Sequence, residues 1–128
     1  MECDTTKFKK RQIGKITNRV IRLLNLEIEE DAPIFINDNN LELIAIKHPY
    51  DFAKYGNDLE KIINNPTYIS QHPINKSIEY IKVYKQEQDY VLVAVRVSLS
   101  RNYYIRTLFV MSDEKVRKYW LKGAFKTY

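Results

Sequence analysis

The sequence is organised around one alternating stretch, YVLVAVRVSL, at positions 90–99. Its odd positions are all Val or Leu, whereas its even positions include Ala94, Arg96 and Ser98. Successive side chains of a strand point to opposite faces, so this pattern predicts a strand with one apolar face packed on a core. The even positions then form a second face that is open to solvent, and we expect functional side chains there.

Two further β-rich runs, at positions 77–84 and 103–110, flank this stretch across short polar turns. Short connections predict an antiparallel meander, because parallel neighbours need longer crossovers. If Arg101 and Asn102 form a two-residue hairpin turn, Arg96 lies opposite Thr107. A three-residue loop would shift the register and bring Arg106 to the second face instead of Thr107.

Helical patterns precede these strands. Apolar residues at positions 13, 16, 20, 23 and 24 predict a helix over about 12–26. Positions 34–36 predict a short strand, and positions 58–64 predict a helix. Between them, positions 41–48 predict a short helix capped by Asn39 or Asn40, although a strand is the alternative for these positions. We expect Asp113 to cap a last helix. The sequence thus predicts an α+β fold, with N-terminal helices packed on one face of an antiparallel sheet of about four strands and a short C-terminal helix.

The chain of 128 residues is the size of one domain. We expect positions 1–30, a basic arm and first helix, to fold with positions 31–128 as one unit. No apolar stretch is long enough to span a membrane, and positions 1–11 lack the apolar segment of a signal peptide, so a cytoplasmic protein without membrane contact is expected. The only cysteine, Cys3, has no partner for a disulfide.

The charge favours polyanionic partners: 21 Lys and Arg against 16 Asp and Glu give a net charge of +5. The arm begins with a basic cluster of Lys7, Lys9, Lys10 and Arg11, followed by Lys15, Arg19 and Arg22 on the predicted first helix. These residues are candidates for phosphate contacts. A solvated helix face is the alternative interpretation.

The predicted second face also suits an anion. Arg96 beside the hydroxyls of Ser98 and Thr107 can bind a phosphate through its guanidinium fork. Tyrosines of the strands, among them Tyr103 and Tyr104, are candidates for stacking on bases, although tyrosine is also a common structural residue of strands.

Two histidines, His48 and His72, are the candidates for acid–base chemistry. His48 ends an apolar stretch, where its side chain can project into a cleft, whereas His72 lies in a polar turn. Two histidines without a neighbouring cysteine form no recognisable ligand set, and three glycines form no phosphate-binding loop, so neither a metal nor another cofactor is expected.

The order of these segments resembles the phage-associated branch of the barnase, EndoU, colicin and RelE-like nuclease superfamily. The resemblance covers positions 34–128 and rests on Lys47-His48-Pro49 at the end of a helix, on IINNPTYI at positions 62–69, and on Arg106-Thr107-Leu108-Phe109 in a late strand. It implies metal-independent RNA cleavage in which the 2′-hydroxyl attacks the adjacent phosphorus and leaves a 2′,3′-cyclic phosphate. His48 then matches the family's helix-borne histidine, and Arg106 and Thr107 match its Arg-Thr pair.

One departure from the family pattern concerns the second proton-transfer group. The pattern often includes another histidine earlier on the same helix, where Leu43 and Ile44 stand here. Lys47, Tyr119 or Lys122 would have to take that role, unless the protein is inactive.

We therefore predict a metal-independent ribonuclease from a phage or other mobile element, with RNA as its substrate, and with a toxin role and an antitoxin or immunity protein as a further hypothesis. The alternatives are a non-catalytic RNA- or DNA-binding protein that uses the same surface, and a structural or protein-interaction module. The candidate catalytic residues are His48, Arg96, Ser98, Arg106 and Thr107. The candidate RNA contacts are Lys7, Lys9, Lys10, Arg11, Lys47, Tyr103, Tyr119 and Lys122.

Overall fold

The computed structural model describes residues 10–97 and 101–128. The strands are, in chain order, β1 (Lys10–Ile16), β2 (Ala32–Asn37), β3 (Tyr68–Gln71), β4 (Ile78–Tyr84), β5 (Asp89–Arg96), β6 (Tyr103–Val110) and β7 (Lys126–Thr127). The helices are α1 (Asn18–Leu24), α2 (Asp38–Lys47), α3 (Pro49–Tyr55), α4 (Leu59–Asn64) and α5 (Asp113–Leu121), and one turn of 3-10 helix (Gly56–Asp58) joins α3 to α4.

The described strands form one mixed sheet in the order β1-β2-β6-β5-β4-β3-β7. Neighbouring strands are antiparallel except β2 and β6, which run parallel with Ile34 opposite Tyr103 and Phe35 opposite Tyr104. The α+β class is confirmed. The prediction of about four antiparallel strands is wrong, because β1, β3 and β7 extend the sheet to seven strands and one pair is parallel. The added strands are either short or irregular in pattern, so alternation did not reveal them.

The predicted helix over 12–26 is wrong in its first part, which forms β1 instead. A β-bulge between Gln12 and Gly14 lets Ile13 and Ile16 both point into the core although they are three positions apart. Their spacing therefore imitates a helix. The helix α1 begins only after Thr17, whose hydroxyl accepts the backbone N–H of Val20 at 3.4 Å.

Different helices pack against the two faces of the sheet. The core face carries positions 91, 93 and 95 of β5, and α1 to α4 pack against it; the second face carries positions 92, 94 and 96. These helices bury apolar side chains against the core face, in one cluster that we call the core cluster. Full burial of one such aliphatic side chain stabilises the fold by about 1.5–3 kcal/mol. These side chains are Val20, Ile44, Tyr55, Leu59, Ile62 and Ile63.

The second face is not open throughout, contrary to the sequence-based prediction. Its half over β4 and β5 is covered by α5 and the segment that follows, so that Ile81, Leu92 and Ala94 are only 0%, 1% and 5% exposed. Phe125 packs there beside the side chain of Tyr119. The covering helix is amphipathic, and its apolar side needs a partner surface in the protein.

A buried carboxylate ties α5 to the sheet. Glu79 of β4 is 4% exposed, and it accepts hydrogen bonds from the Ser70 hydroxyl at 2.5 Å and from the Tyr119 hydroxyl at 2.9 and 3.0 Å. A buried carboxylate without such donors would cost several kcal/mol. Burial and the neighbouring Glu79 carboxylate raise the pKa of Tyr119, which keeps its hydroxyl protonated as a donor.

Two predicted helix caps are wrong by one or more positions. The helix α2 is capped by Asn37, whose side chain accepts the backbone N–H of Asn40 at 2.8 Å, rather than by Asn39 or Asn40. The helix α5 is capped by Ser112 rather than Asp113. In both cases the side chain must precede the helix to reach its free N–H groups. The helix assignment for positions 41–48 is confirmed over the strand alternative.

Among the described residues, no helix combines the length and the apolar composition that crossing a lipid bilayer requires.

We predict that Gly14→Ala destabilises the fold by about 1–3 kcal/mol. A Cβ at position 14 would meet the Ile63 side chain at 2.7 Å and the Asn64 side chain at 3.3 Å, so β1 would have to move away from α4. Chemical denaturation measures the change, with Lys15→Ala, at an exposed neighbour, as a control of near-zero effect. Equal stability of both variants would contradict the close approach of β1 and α4.

We predict that Tyr119→Phe costs about 1–3 kcal/mol, because the buried Glu79 loses one of its donors. The raised pKa of Tyr119 means that the folded state keeps this hydroxyl neutral while the unfolded chain ionises it near pH 10. The advantage of the wild type over the variant should therefore be complete below about pH 10 and decline above it. Tyr50→Phe, at a tyrosine that is 89% exposed, should change neither the free energy of unfolding nor its pH dependence. If Tyr119→Phe is as stable as the wild type, the hydrogen bond of Tyr119 to Glu79 does not hold α5 on the sheet.

Candidate active site

The helices α2 and α3 lie beside β6 because β2 leaves that edge early. Within the described residues β2 pairs with β6 only at Ile34 and Phe35, and the chain then turns into α2. Further along the same edge, the Asp51 carboxylate of α3 accepts the backbone N–H of Val110 at 2.9 Å. This bond satisfies a strand donor that β2 does not reach.

His48 is held at the junction of α2 and α3. Its backbone N–H donates to the carbonyl of Ile44 and its own carbonyl accepts the N–H of Phe52, each at 2.8 Å. Pro49 occupies the first position of α3, so the junction has little freedom. The imidazole lies 5.5 Å, between ring centroids, from the Phe109 ring of β6.

A β-bulge in β6 decides the register that the sequence left open. Ala94 is opposite Thr107 and Val95 is opposite Ile105, so Arg106 is the extra residue of the bulge. The predicted pairing of Arg96 with Thr107 is wrong, since Arg96 faces Tyr104. The connection is longer than a two-residue turn, and neither of the two registers considered includes a bulge.

The bulge brings Arg106 and Thr107 into one pocket, which we call the His48 pocket. Its volume is about 430 Å³. Every titratable side chain that lines it is basic. The lining residues are Leu43, Ile44, Lys47, His48, Arg106, Thr107, Phe109 and Lys115.

The sequence-based prediction missed Lys115. This residue lies in the first turns of α5, and its amine is 5.2 Å from the centroid of the Phe109 ring. Nothing in the sequence links it to His48, because the link depends on α5 packing over the second face. Leu43 and Ile44, which stand in the region where the family pattern often has another histidine, line the same pocket.

Three other predicted residues of the hairpin do not join this pocket. Arg96 is exposed on the second face, beyond Thr107 along the sheet. Tyr103 belongs to the core cluster and is only 5% exposed, so a base cannot stack on its ring. Ser98 lies outside the described residues.

The basic arm is described only in part. Lys7 and Lys9 lie outside the described residues. Lys10 begins β1 and its amine lies 4.4 Å from the centroid of the Phe35 ring. Arg11 forms an exposed ion pair with Glu60 at 3.1 Å. Neither Lys10 nor Arg11 lines the His48 pocket.

Tyr119 and Lys122 line a separate pocket, the His72 pocket, with a volume of about 560 Å³. Lys115 lines both pockets and so forms the wall between them. The lining residues are Gln71, His72, Pro73, Ser112, Glu114, Lys115, Lys118, Tyr119, Lys122 and Ala124.

The His48 pocket provides the groups that phosphate-ester chemistry requires. An imidazole exchanges protons near neutral pH, a guanidinium fork binds two oxygens of one phosphate, and a threonine hydroxyl adds a further donor. The amines of Lys47 and Lys115 add positive charge. In residues 10–97 and 101–128, no three His, Cys, Asp or Glu side chains lie close enough together to hold a metal ion.

Comparison with protein-family models matches residues 11–118 to a family described as phage-Barnase-EndoU-ColicinE5/D-RelE like nuclease3. Comparison with curated proteins and with solved structures gives no match. The matched residues run from β1 into α5 and include every residue that lines the His48 pocket. The chain therefore belongs to this nuclease family of the phage-Barnase-EndoU-ColicinE5/D-RelE like group.

Proposed function

We propose that this protein is an endoribonuclease that cleaves RNA without a metal ion, through attack of the 2′-hydroxyl on the adjacent phosphorus. The observation that carries the proposal is the convergence of His48, Arg106 and Thr107 in one pocket whose titratable side chains are all basic. Membership in a nuclease family supports phosphodiester chemistry. RNA brings its own nucleophile, so that proton transfer and charge stabilisation are the contributions left to the protein.

The proposed reaction assigns one group to each proton. His48 takes the proton of the 2′-hydroxyl while the 2′-oxygen forms its bond to phosphorus. The bond from phosphorus to the 5′-oxygen breaks, and that oxygen takes a proton from the ammonium group of Lys47 or Lys115, both of which line the pocket. The products are a 2′,3′-cyclic phosphate and a 5′-hydroxyl. Tyr119 and Lys122, the other candidates, line the separate His72 pocket and not the His48 pocket, so neither is proposed as this acid. The Tyr119 hydroxyl is in addition committed to Glu79.

Arg106 and Thr107 are proposed to hold the scissile phosphate. The guanidinium fork matches two phosphate oxygens, and its charge offsets the charge that develops on them in the transition state. Because the bulge directs both residues to the His48 pocket, they contact the same phosphate that His48 serves. Arg96 and the basic arm are then proposed as contacts to RNA outside this pocket.

A non-catalytic RNA- or DNA-binding protein is the alternative, and Leu43 and Ile44 favour it, because they stand in the region where the family pattern often has another histidine. Incubation of RNA in EDTA separates the two proposals, since the nuclease alone generates fragments. A phage or mobile-element origin agrees with the family description, and an antitoxin or immunity protein stays a prediction.

We predict that His48→Ala lowers the rate of RNA cleavage in EDTA by about 10²–10⁴-fold and leaves most of the affinity for RNA. The reason is that the variant loses the proton acceptor but keeps the cations that bind phosphate. The cleavage rate, the dissociation constant and the cyclic-phosphate ends of the fragments are measured together.

The matched control is Ile46→Ala, two positions earlier on the same helix at a side chain that is 72% exposed. It should cleave at the wild-type rate. If His48→Ala also cleaves at that rate, the proposed mechanism is wrong. Circular dichroism identifies a folding defect, and His48→Gln then repeats the test with a side chain of similar volume.

We predict that Arg106→Ala lowers kcat by about 10²–10³-fold and also weakens RNA binding, because one cation serves both the ground state and the transition state. The slope of log Kd against log salt should fall by about 0.7 on single-stranded RNA. Arg106→Lys restores the charge without the fork and should recover binding more than kcat. Arg96→Ala should weaken RNA binding and leave kcat unchanged. If Arg96→Ala lowers kcat more than Arg106→Ala does, the scissile phosphate lies nearer to the hairpin loop than proposed.

A further inference from the structure

The His72 pocket and the His48 pocket share one lining side chain. Lys115 lines both, and its amine lies against the Phe109 ring, which in turn contacts the His48 imidazole. A ligand that fills the His48 pocket and extends past Lys115 therefore enters the His72 pocket next.

The His72 pocket is lined by a row of lysines. Lys115 and Lys118 in α5 and Lys122 directly after it follow each other at spacings of three and four, and so lie along one side of the helix over about 10 Å. This length corresponds to about three nucleotide steps of a stacked strand. Glu114 is the one acidic residue of the lining, and its ion pair with Lys118, at 3.2 Å, is exposed and hence weak.

His72 adds an oriented donor to this pocket. Its Nδ1 accepts the backbone N–H groups of Ile74 and Asn75, each at 3.2 Å. The proton of the neutral ring therefore resides on Nε2, the nitrogen that remains for a ligand. The hydroxyl of Ser112 accepts the N–H of Lys115 and keeps its own proton to donate. Ammonium, imidazole N–H and hydroxyl donors together form a ligand set for phosphate oxygens.

We propose that the His72 pocket is a second phosphate subsite, which binds a phosphate of the same RNA strand next to the scissile one, with Lys115 between the two phosphates. The proposal rests on the proposed ribonuclease function. It defines the substrate as a strand longer than a dinucleotide, because a dinucleotide carries only the phosphate that occupies the His48 pocket. Binding energy from the second subsite then helps to position the scissile phosphate.

The test compares two substrates in the full chain, a dinucleotide and a single-stranded RNA of about ten nucleotides. The double variant Lys118→Gln/Lys122→Gln should lower kcat/KM for the longer RNA and leave kcat/KM for the dinucleotide at the wild-type value. Its log–log salt slope for binding the longer RNA should fall by about 0.7, which corresponds to one lost phosphate contact. His72→Asn, whose side-chain oxygen can replace Nδ1 as acceptor for the turn, should show the same selectivity for length.

The matched control is Lys61→Gln/Lys85→Gln, which removes two charges at exposed lysines outside both pockets. It should leave the ratio of the two kcat/KM values unchanged. If Lys118→Gln/Lys122→Gln also leaves this ratio and the salt slope at wild-type values, the subsite is refuted while the nuclease stands. If inorganic phosphate binds the His72 pocket and the variants show no dependence on RNA length, the pocket serves a free phosphate compound and the proposal is equally wrong.

The subsite is also tested without catalysis. Equilibrium binding of the longer RNA to His48→Ala, with and without the two lysine substitutions, measures the subsite even where no cleavage occurs. A fall in salt slope upholds the subsite, and an unchanged slope refutes it. Absence of cleavage by the wild type in EDTA would overturn the proposed function and leave this binding result interpretable.

Discussion

The position of the His48 ring depends on the edge of β6 that β2 leaves unpaired. A strand edge carries N–H and C=O groups that need partners, and the Asp51 carboxylate supplies one of them to Val110. That bond fixes α3 beside β6. His48 is the junction residue of α2 and α3, so its ring is fixed with them against Phe109. The position of His48 thus depends on the early end of β2 and on the Asp51 carboxylate, which binds the edge of β6 beyond that end.

The second constraint is the bulge in β6. In a regular strand, consecutive residues point to opposite faces, and Arg106 and Thr107 would then diverge. The bulge places both at the His48 pocket, at the cost of one irregular position in the ladder. Together with the helix junction, it brings an imidazole, a guanidinium and a hydroxyl to one place from two segments far apart in the sequence.

The sequence was informative where periodicity was regular. The alternation of positions 90–97 identified β5 and its core face, and the Lys47-His48-Pro49 run was correctly assigned to a helix end. Periodicity failed at both bulges, because an extra residue shifts the phase. Ile13 and Ile16 have the spacing of a helix face, and the two alternative registers for Arg106 both lacked the bulge. The parallel pairing of β2 with β6 is a long-range contact without a local signature. Lys115 was missed for a similar reason, because its role depends on where α5 packs.

The helix α5 links the core of the protein to its proposed chemistry. Its apolar side covers Leu92 and Ala94, and the hydrogen bonds of Tyr119 to the buried Glu79 fix its position on the sheet. The lysines on its other side are consequently held at a defined distance from β6, rather than on a mobile loop. Rigid placement matters for a site that works by electrostatic stabilisation, because cations that need not reorganise stabilise the transition state more effectively. The second face is therefore divided, with one half buried to hold α5 and the other half left accessible as the pocket that α5 borders.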